Sequence, residues 1–197
     1  MRKPANYDNT QASGEFIPVE LGGHFLIIRD VEETQSKNGK DMIIVRFDFA
    51  SNDKQPGYFM KAFKDDIRPD KRWPHQATQY ILTEDKDGNC NRSFKTFTTC
   101  VEHSNPGFTT QWVDDFGMQF INKKVGGVFG IVENEYMGKV TKRRELRWFV
   151  SEDKVRDAAI PEEKLLPVSG KPNPAAASVG NGFMTIPEGI EDEMPFI

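Results

Sequence analysis

Residues 124–150, KVGGVFGIVENEYMGKVTKRRELRWFV, restrict the fold more than any other part of the chain. They read as two β-strands joined at Tyr136-Met137-Gly138-Lys139. The first is apolar and glycine-rich, and the second carries Lys142, Arg143, Arg144 and Arg147 between aliphatic and aromatic residues. Strict alternation along the second strand assigns Leu146, Trp148 and Val150 to one face, with Trp148 in the core, and Arg143, Arg147 and Phe149 to the other. Gly126 and Gly130 stand two residues to either side of Val128. They strip one face of Cβ atoms, as a small barrel requires where it coils sharply or where backbones approach closely. A strand with one packed face and one basic, aromatic face suits a polyanion with exposed bases. An ordinary exposed strand whose charges keep it soluble is the competing reading.

A length of 197 residues fits one domain with tails. The composition, 37% hydrophobic and 28% charged, is that of a globular protein, with no apolar run long enough to span a bilayer. Met1 to Gly14 is polar and lacks the charged-then-apolar order of a secretory signal, so the expected location is the cytoplasm. Cys90 and Cys100 have neither metal-ligand spacing nor the density of a disulfide scaffold. The net charge of −4 is unevenly placed: residues 161–197 hold six acids and two bases, leaving 24 of each sign in residues 1–160. A neutral body can still carry a basic groove.

Along the chain, residues 1–20 read as an N-terminal arm and 21–157 as one domain. Residues 158–190, with five prolines and an alanine run, read as a flexible linker, and 191–197 as an acidic, apolar tip. Gly23 to Glu33 and Asp41 to Ala50 are strands, joined by a turn in which Asn38-Gly39 supplies positive φ angles. On the second of them Ile43, Val45, Phe47 and Phe49 face inward. Tyr58 to Phe63 reads as a third strand with Phe59, Lys61 and Phe63 on one face, a face that fits the core first and a base-stacking platform second. Residues 64–75, broken by Pro69 and Pro74, form a charged loop that contains Arg72 and Trp73. Asn91 to His103 is an amphipathic helix capped by Asn91 or Ser93 and ended by Asn105-Pro106-Gly107, and residues 107–122 form a packed loop with a partial helix. The order strand, strand, strand, helix, strand, strand predicts a mainly β protein, a five-stranded OB-fold-like barrel with one helix between the third and fourth strands and a disordered C-terminal tail.

The chain ends Glu191-Asp192-Glu193-Met194-Pro195-Phe196-Ile197. This stretch resembles the C-terminal tip of bacterial single-stranded-DNA-binding proteins, an acidic run followed by an apolar end with proline and phenylalanine. In that family the tip recruits replication and repair proteins and a linker joins it to an OB-fold. Here Ile197 follows Phe196 and separates that ring from the terminal carboxylate. Ser104-Asn105-Pro106-Gly107-Phe108, Lys124-Val125-Gly126 and Leu146-Arg147-Trp148-Phe149 are similar to pieces of a phage-encoded family described as binding single-stranded DNA. The resemblance implies a DNA-binding body and a partner-binding tip acting in replication, recombination or repair.

The resulting expectation is sequence-tolerant binding of single-stranded DNA, with no catalytic residue and no cofactor. Phosphates would meet Arg143, Arg147, Lys139, Lys142, Lys61, Arg46 and Arg72, and bases would stack on Phe149, Tyr136, Trp73 or Phe59. Replication or recombination proteins would bind residues 191–197, no membrane is involved, and self-association is open. One alternative is a metal-dependent nuclease using Asp65-Asp66 or Asp114-Asp115, although His24, His75 and His103 fall in no ligand spacing. The other is a protein-binding adaptor without DNA affinity.

Overall fold

The computed structural model describes residues 2–4, 7 and 17–166. Five antiparallel strands form one sheet: β1 (Gly22–Gln35), β2 (Asp41–Phe49), β3 (Thr78–Leu82), β4 (Lys124–Tyr136) and β5 (Lys139–Val150), in the order β3-β2-β1-β4-β5. Helix α1 (Tyr58–Asp65) follows β2, and helix α2 (Arg92–Ser104) lies between β3 and β4. The protein is therefore mainly β, and the expected position of a helix between the third and fourth strands holds. The expected closed barrel does not. The outer strands β3 and β5 share no ladder. Across the gap the Gln76 side-chain amide donates to the Arg144 carbonyl at 2.9 Å.

The core is built mostly of rings. Phe47, Phe49, Phe59, Phe97, Phe120 and Phe129 are each under 2% exposed, joined by Leu26, Ile28, Ile43 and Val45. The inward set on β2 is the one its alternation predicts. On β1 the register slips between Ile28 and Asp30, so Arg29 is an extra residue and Val31 returns to the core side. The Arg29 guanidinium then reaches the buried Asp48 carboxylate at 3.5 Å. In the turn to β2 only Gly39 has positive φ, 74°. The Ser36 N–H donates to Lys40 O, closing a three-residue loop in which Asn38 does not need the positive φ expected of it.

The third strand is not where the alternation of Tyr58 to Phe63 put it. That segment is α1, and β3 begins twenty residues later. Phe59 and Phe63, four apart, share a face in either periodicity, so the pattern does not separate the two. The anchoring does: Gly57 enters at φ 66°, and the buried Asp48 carboxylate accepts the Phe59 N–H at 3.0 Å. An acceptor at the first turn satisfies a helix and supplies nothing to a ladder. Helix α2 is capped as expected, Asn91 Oδ1 accepting the Ser93 N–H at 2.8 Å, and sends Phe94, Phe97 and Val101 into the core. The loop after it holds a 3-10 turn at Phe116–Phe120 packed on β1.

Of the residues read as an arm, Ile17, Pro18, Val19 and Glu20 are tied down: Val19 is 1% exposed, and the Ile17 carbonyl accepts the Tyr58 hydroxyl at 2.8 Å. Of those read as linker, residues 158–166 lie within the described chain. Residues 167–190 and the tip 191–197 lie outside it, so the disordered tail expected from the sequence falls there. No helix among the described residues is long and apolar enough to cross a membrane.

Candidate nucleic-acid interface

The open edge of the sheet is the site's frame. Strand β5 forms one bank, and the other is α1 with the loop 66–75 that leads into the 3-10 turn His75–Ala77. Two ties hold the banks together. Gln76 bonds the Arg144 carbonyl, and the chain at 17–19 receives both the Tyr58 hydroxyl and the Arg144 guanidinium, the latter at 2.5 Å on Val19 O. Within the second bank Trp73 is half-buried, its Nε1–H donating to Phe47 O at 3.1 Å while its ring meets Phe63 at 5.5 Å. Lys71 Nζ stands 4.7 Å from the centre of the Phe63 ring.

The sequence-predicted residues divide into three groups. Lys61 on α1, Arg72 in the loop, and Lys139 and Arg143 on β5 are exposed and form no salt bridge among the described residues. Lys64, three residues after Lys61 and read from the sequence as the start of the charged loop, is on α1 and in the same condition. Tyr136, 68% exposed at the hairpin tip, and the half-buried Trp73 are the rings available beside them.

The second group is spoken for inside the protein. Arg46 binds Asp30 and Glu32, whose hydrogen bonds outweigh the cost of burial and raise its pKa further. Lys142 pairs with Glu163 at 2.5 Å and stands 3.8 Å from Glu133. Arg147 donates to the Glu162 carbonyl at 3.1 Å, and burial lowers its pKa.

The third group is in the core. Phe59 is 0% exposed and Phe149 is 5% exposed, so neither presents a face to a base. Phe149 corrects the alternation of β5. The ladder pairs Val128 with Trp148 and then Phe129 with Leu146, leaving Arg147 as a bulge. One extra residue reverses the parity, so Leu146 and Phe149 both face inward while Trp148, expected in the core, is half-buried. Phe149 meets Phe97 at 5.1 Å and Phe47 at 6.2 Å.

The glycines of β4 do mark close approaches. A Cβ at Gly126 would come within 2.4 Å of Val155 Cγ2, and one at Gly130 within 2.5 Å of Pro161 Cγ. A separate pair of adjoining hollows, about 500 and 490 Å³, shares Phe25, Asn52 and Arg156. There Asp53, Glu152 and Asp153 oppose Lys54 and Arg156, a balance with no net attraction for a polyanion. Among the acids considered for metal chemistry, Asp66 is held by Arg68 at 2.7 Å, which lowers its pKa to about 2. Asp65, Asp114 and Asp115 are exposed, and no group of three or more metal-ligating side chains occurs among the described residues.

A scan against protein-family models finds no match for this chain, and a search of curated proteins finds none either.

Proposed function

We propose that this protein binds single-stranded nucleic acid, DNA in the first instance, without reading its sequence. The observation that carries the reading is the set of six exposed cations that form no salt bridge among the described residues, Lys61, Lys64, Lys71, Arg72, Lys139 and Arg143, divided between the banks of the open β3/β5 edge. Flexible cations on two banks match the phosphates of an unpaired strand, and Trp73 and Tyr136 offer the flat surfaces on which unpaired bases stack. The acidic tip 191–197 would recruit partner proteins of replication, recombination or repair, in the cytoplasm of a bacterial host.

The test is an anisotropy titration of the full chain with labelled single-stranded, double-stranded and RNA oligomers over a range of salt. Single-strand affinity is expected to fall on a log–log plot with a slope of about −0.7 per phosphate engaged, about −4.2 if all six cations take part. The double variant Arg72→Ala/Arg143→Ala is expected to flatten the slope by about 1.4. A salt-independent signal, or no binding at low salt, would overturn the reading. Cleavage of the oligomer in Mg²⁺ would favour the nuclease in its place.

A further inference from the structure

Strand β1 ends its pairing with β4 at Gly22, opposite Phe129, which leaves the β4 backbone from Ile131 onward without β1 as a neighbour. The chain's own residues 161–166 take that place. Lys164 pairs with Val132 in parallel, its N–H donating to Ile131 O and its carbonyl accepting from Glu133 N–H, both at 2.9 Å. The Leu166 N–H reaches the Glu133 carboxylate at 3.3 Å, and Pro161 sits where Gly130 lacks a Cβ. From this position Glu163 holds Lys142 and the Glu162 carbonyl holds Arg147, which accounts for two of the seven cations singled out in the sequence.

The segment is lightly held. Glu162 and Glu163 are exposed and Leu165 is 50% exposed, so little apolar surface resists its release, and an ion pair in water is weak. The same two cations lie on β5, the strand that forms one bank of the open edge.

We propose that residues 161–166 are a displaceable strap that withholds Lys142 and Arg147 from the nucleic-acid site until a run of phosphates replaces Glu163 and the Glu162 carbonyl. The strap rests on the reading of the open edge as a nucleic-acid site. It makes binding a competition between the protein's own acidic segment and the ligand, and ties the start of the C-terminal tail to occupancy of the body.

The full chain and the variant Glu163→Gln/Lys164→Pro, which removes both the ion pair and the N–H that bonds Ile131, are titrated with an oligothymidylate and followed by amide hydrogen exchange. The variant is expected to bind about threefold to tenfold more tightly at low salt, with the advantage lost at high salt. Glu163→Gln alone, an exposed change that leaves the backbone pairing in place, is expected to fall between the two. In the unaltered protein the Glu133 and Lys164 amides are expected to lose protection when the oligomer is added. If the oligomer binds all three proteins equally and those amides stay protected, the strap is overturned and the nucleic-acid site stands. If none binds, the site itself falls and the strap's role falls with it.

Discussion

A single side chain decides more of this fold than its place in the sequence suggests when its polar atoms are buried. His24 is fully buried, with Nδ1 3.0 Å from Asp53 Oδ1 and Nε2 2.9 Å from the Glu20 carbonyl, and its ring stacks on Phe49 at 4.2 Å. A carbonyl oxygen only accepts, so Nε2 carries a hydrogen. Burial works against the Asp53 charge, but the hydrogen bonds from His24 and the Gln55 N–H prevail, and its pKa lies below the ordinary 3.8. A carboxyl with a depressed folded-state pKa contributes stability that is fully present above the unfolded value and is lost as pH falls through the folded one. Asp53→Asn is therefore expected to cost about 3 kcal/mol at neutral pH and to flatten the acid limb of stability below about pH 4, measured by urea unfolding across pH. Phe149→Ala offers the contrasting outcome for a residue first read as a stacking surface. Packed on Phe47 and Phe97, it should lower unfolding free energy by about 3–5 kcal/mol. A change within about 0.5 kcal/mol, as an exposed ring would give, would contradict its place in the core.

At the scale of elements, turns and close approaches carry the constraint. The β4–β5 turn places Met137 at φ 50° and Gly138 at φ 74°, the two left-handed residues of a hairpin turn whose twist suits the strands. Methionine is poorly suited to that conformation and here is 88% exposed, so Met137→Asn sheds backbone strain without losing packing. A gain of about 0.5–1 kcal/mol is expected in the same unfolding assay. At Gly117 a Cβ would stand 2.1 Å from the Val31 carbonyl oxygen. Backbone cannot yield as a side-chain tip does, so Gly117→Ala should separate the 3-10 turn from β1 and cost about 2 kcal/mol or more. That loss should appear as faster exchange of the Gly117 N–H, which bonds Glu33 Oε1 at 3.1 Å.

Over the whole molecule, charge is segregated along the chain. A body of balanced sign is followed by a tail with four more acids than bases, and the first acids of that tail already lie against the basic hairpin. Deleting residues 183–197 removes Glu188, Glu191, Asp192 and Glu193 and leaves the strap in place. Oligonucleotide affinity should be kept or raised, and a loss of binding would assign those residues a direct role on the ligand. The sequence by itself determined the element types wherever one periodicity fitted: the inward face of β2, the cap and face of α2, and the hairpin 124–150 with its turn. These follow from local chemistry, the spacing of apolar residues and the φ angles that glycine permits, which each segment carries with it. Tertiary structure alone decided the rest. Tyr58–Asp65 became a helix because a carboxylate eleven residues upstream waited at its first turn, and Phe149 turned inward because one residue of β5 found no partner on β4. The sheet stayed open because β3 and β5 share no ladder. Each of these depends on what another segment places alongside, and a pattern read along one strand holds no record of its neighbour.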